Sequence, residues 1–506
     1  MTYSIYLLMA AATVGCKETV AGAPSQVELD DVLEPVRHQF KQLIEDFLKK
    51  GVSPQAAFEL EQQLSAASRE LCRVGVEWAY NQVESKPVDL PQHVEFEAGP
   101  YTRLNHKTPQ DVATLFGKIR LWRTGYRPTN KTGDPTIFPL AQQLGLVAGA
   151  SPALAERAAY YQAEAGATQR RTLERLKQDH GVGWGVKKLR EVVGHVAAAM
   201  TAERHEVQVE KLLQWLEQAW TSKGKHKPVL SIGRDGISFA VPIRKGTIYK
   251  VASAGTITVF DRRGKRLGTA YLAYMPESKQ GTMSTQLTRL VEDVLRQLQR
   301  PLPRLCYVTD AGDNETAYHE NVLRRMCHPR TGEKLEWIRV VDFYHASERV
   351  WKMAEALFGS GPAAKGWARR MLKLLKKPNG IRRVLNSASV LRGRHPLKRT
   401  TSAEFDKAYN YMRDRTRFMR YAAYERVGIP RGSGVTEAAC KTIYTQRLKL
   451  SGMRWNKAGA QTILNLRVLL LSGVWIEAYL RVLKKVENVQ VPPYELPSWE
   501  RLKKAA

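Results

Sequence analysis

Val32, Val36, Phe40 and Leu43 fall at three- and four-residue steps on one helical face, and residues 26–86 are predicted as two helices. This segment is locally acidic and carries no catalytic pattern, which leaves partner contact or scaffolding. Pro87, Pro91 and the polar stretch to Gly99 predict a linker. Leu115, Gly117, Ile119 and Leu121 then alternate within 111–126, predicting a small strand pair, and 130–139 reads as a Gly/Pro-containing loop. From Ser151 the spacing is helical again. Residues 168–179 form a short helix, Gly181–Gly185 a turn, and Val186 begins a second helix. That layout suits a helix-turn-helix and an ordinary helical hairpin alike. Residues 203–222 make a further helix leading into the next region.

There the order of elements becomes informative. Lys227–Gly233 is a predicted strand ending at Asp235, and 246–261 and 265–275 alternate on either side of a turn at Arg262–Gly264. An amphipathic helix (282–299), a buried-type strand (304–310), a helix (314–327) and another strand (335–342) follow. Three strands in a meander, then helix, strand, helix, strand, is by analogy the order of a ribonuclease-H-like α/β fold. No strand pattern follows Asp342. Residues 346–424 are helical, and between Glu355 and Glu404 there are twelve Lys or Arg and no acid. One sign of charge over such a length is repulsive without a polyanion. Trp367, Tyr409, Tyr411 and Phe418, in or near that run, suit stacking on bases and core packing alike, with core favoured. Two glycines and Ser433 then precede a helical run in which Ser433 can act as N-cap and Glu437 falls in the first turns. Lys441, Tyr444 and Leu448 follow Glu437 at helical spacing on one face, and Gly452 is placed to end the helix.

Charge changes the picture most. The 506 residues suffice for about three domains. Their 79 Lys+Arg against 49 Asp+Glu give a net charge of +30 and a pI near 9.9. The excess points to a polyanionic partner, nucleic acid before an anionic membrane surface, with a basic protein kept soluble by its charge as the bland reading. Residues 168–191 hold seven Lys or Arg and three acids. The surplus favours the helix-turn-helix reading, with Arg170, Arg171, Lys187, Lys188 and Arg190 as DNA contacts. The five cysteines (16, 72, 306, 327, 440) form no C-x-x-C pair, which argues against a zinc ribbon or a disulfide framework and fits the cytoplasm, nucleoid-associated. No apolar run reaches membrane-spanning length, so no membrane partner is expected. Tyr3–Cys16 resembles an export leader but lacks a preceding Lys or Arg, and reads as an accidental leader-like helix or an over-long N-terminus.

Asp235, Asp310 and Glu437 would meet if the first strand, the fourth strand and the late helix pack as that fold packs them. Clustered carboxylates repel one another unless a cation sits among them, and hard divalent ions with oxygen ligands relieve the repulsion. Taken singly, each acid is better read as a turn or helix cap; all three at strand, strand and helix in a +30 chain are not.

The segments Ser231–Gly236, Tyr307–Asp313, Val341–Glu348 and Gly432–Lys441, with Ser451–Trp455, resemble bacterial insertion-sequence DDE transposases of the ISKra type. The similarity spans roughly 116–479. It implies a ribonuclease-H-like mixed-sheet catalytic domain (223–345 and 431–482) interrupted by a basic helical insertion (346–430). Before it come a helical N-terminal region (1–98), a small β/loop region (99–150) and a helix-turn-helix DNA-binding domain (151–222); a tail (483–506) follows. It further implies that Asp235, Asp310 and Glu437 are catalytic and hold two Mg2+ or Mn2+ ions, with terminal inverted repeats and target DNA as partners of a homodimer or higher oligomer. Asp342 and His345 resemble the Cys/Asp-x-x-His signature of transposases with such an insertion; His345 would contact DNA, support the site, or cap the next helix. Lys441, Arg447 and Arg454 would hold phosphates, and Trp455 would stack on a base or sit in the core. Relatives with cysteines near 126–134 have a metal-finger character that this chain lacks there. A ribonuclease-H-like nuclease or resolvase that only hydrolyses, and a non-catalytic DNA-binding protein derived from a transposase, are the rival readings.

Overall fold

A computed structural model describes residues 28–83, 90–96, 99–129, 134–394 and 396–487. The leader-like segment, Pro87 and most of the C-terminal tail lie outside them. The chain divides into two compact units, Met1–Leu140 with Val491–Ala506, and Ala141–Gln490.

In the first unit the two helices are α1 (Leu29–Lys50) and α2 (Pro54–Gln82). Ser53 caps α2 by accepting from the Ala56 N–H at 3.1 Å, and Pro54 sits at the first helical position, where its missing donor costs nothing. The strand pair is β3 (Thr108–Thr114) with β4 (Gly117–Arg123). The linker expectation is corrected at its end. β1 (His93–Phe96) pairs antiparallel with β2 (Gly99–Arg103), which pairs with β5 (Tyr126–Pro128). Val94, Tyr101 and Tyr126 bury a small core there. Strands this short leave almost no periodic signal beside Pro91 and Gly99.

The second unit is mixed α/β. α3 (Pro139–Gln143), which begins in the last two residues of the first unit, α4 (Pro152–Ala163) and α5 (Gln169–His180) precede α6 (Val186–Thr221), one continuous 36-residue helix where the sequence suggested two. Gly181 ends α5 in the left-handed conformation that glycine adopts without strain. β6 (Val229–Ile243), β7 (Gly246–Phe260) and β8 (Arg266–Tyr274) form the meander, followed by α7 (Gly281–Gln297), β9 (Arg304–Thr309), α8 (Asp313–Asn321) and β10 (Trp337–Val341). The five strands lie in the order β10-β9-β6-β7-β8. β10, β9 and β6 run parallel, and β6, β7 and β8 antiparallel. Asp235 is thus not at a strand end: β6 continues eight residues further, paired with β7 as far as Ile243 opposite Gly246.

Alternation along the strands sorts the core into layers. Leu230, Ile232, Ile257, Leu305 and Tyr307 pack with α6 and α7. Val229, Cys306, Val308 and Val340 share a core with the helices that follow β10, namely α9 (Phe343–Phe358), α10 (Pro362–Leu375), α11 (Gly380–Arg394), α12 (Arg399–Asp414) and α13 (Tyr421–Arg426). Trp367 is buried there, with Tyr409, Tyr411 and Phe418 packed against the same core. The chain returns through α14 (Gly434–Cys440), a π-helical turn (Lys441–Thr445) and α15 (Gln446–Leu448). It closes with α16 (Lys457–Leu471) and α17 (Trp475–Glu487). Among the described residues no single helix is long and apolar enough to cross a membrane.

The seat of α14 on the sheet requires a glycine. A Cβ at Gly233 would lie 1.9 Å from the Thr436 hydroxyl and 2.7 Å from that of Thr256, and the two hydroxyls bond at 2.8 Å. Gly233→Ala is expected to cost about 1–3 kcal/mol through overpacking, measured as a lowered thermal unfolding midpoint. Adding Thr436→Ala should recover more than half of the loss. Additive effects of the two substitutions would place the clash elsewhere.

Candidate active site

The β6–β9 ladder runs from Val229 opposite Arg304 to Ile232 opposite Tyr307. The same register continued by three residues sets Asp235 opposite Asp310, where β9 has ended and β6 stays paired only with β7. Asp235 on β6 and Asp310 just past the end of β9 thus face the same split and repel each other. The turn after Asp310 is strained, with Ala311 at φ 59°. It is held by its surroundings. Asp310 accepts from the Gly312 N–H at 3.0 Å, the Tyr411 hydroxyl donates to the Asp310 carbonyl, and Arg415 donates to the Ala311 carbonyl at 3.2 Å. The last two come from α12 and the residue after it, so the helical segment after β10 braces this loop.

Glu437 lies close enough to Asp235 to repel it. Thr436, locked at Gly233 and Thr256, sets its position on β6, and the Cys440 thiol one turn on favours the charged form of Asp235. The His345 Nε2 lies 3.2 Å from the Glu437 carboxylate, and its Nδ1 lies 3.5 Å from Glu348. The helix cap next to His345 is Asp342, whose buried carboxylate accepts from the Tyr344 N–H at 2.6 Å and the His345 N–H at 3.1 Å. Asp342 also accepts from the Ser433 N–H. Ser433 stands at the N-cap position of α14 but makes no side-chain cap, correcting that expectation; its hydroxyl is 3.4 Å from Glu437.

A further acid was not foreseen. Glu315, on α8, is buried and interacts with both Asp310 and Asp235. The nearby cation is Arg234, itself buried, bonded to Gln280 and Ser284 and stacked on Tyr318. A glutamate five residues after Asp310 has no period that would mark it.

Burial raises the pKa of Asp235, and Asp310 adds repulsion, against the Gly236 N–H, Cys440 and His345. Burial also raises Glu437, with repulsion from Asp342 and Asp235 opposed by His345. Glu315 is raised by burial and by Asp310 and Asp235. Mutual repulsion of this kind is what a hard divalent cation placed nearby would relieve. Among the described residues no three His, Cys, Asp or Glu side chains converge as the ligands of one ion. The acids are coupled electrostatically without meeting at a point.

Of the basic residues, Arg170 and Arg171 are exposed on α5, Lys187 and Arg190 are exposed on the first turns of α6, and Lys188 is half-buried. Arg170 and Lys188 pair with Glu174 and Glu191. Lys441 and Arg454 are exposed. The π-helical turn shifts the face expected for Lys441, Tyr444 and Leu448, leaving Lys441 outside and the other two buried. Arg447 is fully buried: it donates to the Gln162 carbonyl at 2.8 Å and side-chain oxygen at 3.1 Å and lies over Trp455. It does not stand on a surface that meets phosphate, which corrects that expectation. Trp455 is half-buried and donates to the Leu448 carbonyl at 3.0 Å. No family model matches the chain, and no curated protein matches it.

The raised carboxyls give a signed expectation. In the native state they hold protons to higher pH than in the unfolded chain, where they titrate near pH 4. Their contribution to stability is therefore fullest below that pH and is lost as pH rises through the native values. Without divalent cations, Asp235→Asn should raise the unfolding midpoint at pH 7 by about 1–3 °C and flatten its fall between pH 4 and 7. Mg2+ should raise the midpoint of the parent more than that of the variant. A lower midpoint for the variant at pH 7, or an equal response to Mg2+, would show that no such repulsion exists.

Proposed function

We propose that the chain is a DDE transposase of an insertion sequence, with Asp235, Asp310 and Glu437 as its catalytic acids. The observation that carries this reading is the β6–β9 register, whose continuation sets Asp235 opposite Asp310, with Glu437 held near Asp235 by the Thr436 seat. The strand order and directions support assigning the sheet to the ribonuclease-H-like class, with α9–α13 as an insertion between the second and third acids. The net charge of +30 supports DNA as the partner. α5, its turn and the first turns of α6 are read as the terminal-repeat reader, through Arg170, Arg171, Lys187, Lys188 and Arg190.

Bound by these acids, Mg2+ or Mn2+ would supply charge stabilisation to the attacking and leaving oxygens at phosphorus. The residues contribute the rest. Asp235 and Asp310 set the charge at the split of the sheet, Asp342 and Thr436 fix Glu437 in register, and His345 offsets part of the charge on Glu437. Lys441 and Arg454, both exposed, serve to hold flanking phosphates. In the first reaction the oxygen of water bonds to phosphorus and the bond to the 3′ oxygen breaks, leaving a 3′-hydroxyl and a 5′-phosphate. In the second, that 3′ oxygen bonds to a target phosphorus and the target's own 3′ oxygen leaves. Positioning and charge carry the rate, with no covalent link to protein.

Asp235→Asn, Asp310→Asn and Glu437→Gln should each bind DNA carrying the element's ends as the parent does. Cleavage in Mg2+ should fall by at least about a hundredfold, the scale set by removing one stabilising group. Asp313→Asn, exposed at the start of α8, should cleave normally. Supplied with target DNA, the parent should also join ends. Cleavage without joining would favour the hydrolytic nuclease, full activity in the triad variants would end the assignment, and no cleavage by the parent would favour a non-catalytic binder.

A further inference from the structure

Arg447 and Arg467 are buried in the second unit without an ion pair among the described residues. Arg447 and Arg467 are at most 2% exposed, and all their hydrogen bonds go to neutral oxygens. Burial lowers both to about 10, and Arg467 further disfavours charge on Arg447. A buried charge without a counter-charge is costly to keep. The Arg447 Nη1 atom is buried with no hydrogen-bond partner.

Arg447 also forms part of the wall of a cavity of about 580 Å3 between the start of α5, the first turns of α6, the 451–456 turn and α16. Arg190 and Arg454 line it as well, together with Trp455 and apolar side chains such as Leu189 and Val193. No Asp or Glu lines it. Arg190 bonds only to the Gln169 side-chain oxygen, at 3.0 Å, and neither it nor Arg454 has an ion pair among the described residues. Three cations, an aromatic ring, an apolar wall and no acid describe a site for an anion with a planar apolar part. The volume is that of a small-ligand site.

We infer that this cavity is a binding site for a nucleotide-sized phosphate ester, whose phosphate meets Arg190 and Arg454 at the mouth and supplies the missing counter-charge to Arg447. Arg447, fully buried, acts as fixed charge behind the wall and makes no direct contact with the ester. Because Arg447 lies on the helical run that begins at Gly434 and carries Glu437, occupancy of the cavity bears on the helix that carries the third acid. The inference rests on the DNA reading only for the source of the ester; a free nucleotide offers the same chemistry.

The test titrates the full chain with deoxyadenosine 5′-monophosphate, a ten-nucleotide single-stranded oligothymidylate, deoxyadenosine and inorganic phosphate, reading tryptophan fluorescence. The phosphate-bearing nucleotides should change the signal, deoxyadenosine should bind at least about tenfold more weakly, and the change should vanish in Trp455→Phe. Arg190→Ala and Arg454→Ala, at exposed positions, should each weaken binding about tenfold, as expected for a lost charge-assisted contact. A response to the monophosphate supports a general nucleotide site, and a response to the oligonucleotide alone supports a DNA strand as the source. An unchanged signal with both, a change that survives Trp455→Phe, or equal affinity in both arginine variants would overturn the proposal. The same titration in Asp235→Asn should match the parent, so its outcome does not depend on the catalytic assignment.

Discussion

The carboxylate of Asp342 accepts backbone N–H groups from two places far apart in the chain, Tyr344 and His345 at the start of α9 and Ser433 just before α14. The chain leaves the sheet at β10, builds five helices and returns to the same point. Without that junction, the closing of so long an excursion would be left to apolar packing, which is non-directional and does not set the height of one helix over a strand. The contacts that follow are directional: Phe343 N–H to the Arg431 carbonyl at 3.0 Å, and the Tyr421 and Tyr424 hydroxyls to the Val341 and Arg339 carbonyls. Together they make the start of α14 an extension of the sheet's edge, so that Thr436 can lock into the gap left by Gly233.

From that lock the electrostatics of the site follow. Glu437 is held near Asp235 and Asp342 and is kept there against repulsion by His345, while Asp235 shares a second side with Asp310 and Glu315. Burial and mutual repulsion destabilise the charged forms, and the packing that imposes them is made elsewhere, in the apolar layers on both faces of the sheet. α12 takes part in both tasks: Phe405 and Ala408 join the core, and Tyr411 reaches over to brace the loop that carries Asp310.

Much of this was legible because the sheet's strands are buried and long. Val229–Ile232 and Leu305–Val308 read as apolar runs, and the alternation in β7 and β8 marked the hairpin. The continuation of β6 was also written in the sequence, since Ile237, Phe239, Val241 and Ile243 alternate, but Gly236 and Pro242 read as breaks. Continuity of α6 was hidden by Gly194 and by a pattern that changes as the helix passes from α4 and α5 to the sheet. Asp235 and Asp310 were singled out because strand, strand and helix come in a telling order. Glu315, Tyr411 and Arg415 act across sequence separations or off any period, and only packing reveals them. Arg447 shows the converse: a basic residue in a basic chain reads as a phosphate contact, whereas its depth follows from the π-helical turn that precedes it.

The account turns on Asp342 holding Glu437 in register with the paired aspartates although it is not one of the three acids itself. Binding of Mn2+ at the proposed site, followed by the loss of the free-ion electron paramagnetic resonance signal, tests that register. Asp342→Asn, checked for folding by circular dichroism, should bind Mn2+ at least about tenfold more weakly than the parent, because its amide cannot accept all three N–H groups and α14 loses its fixed height. Parent-like Mn2+ affinity in a folded Asp342→Asn protein would contradict the account.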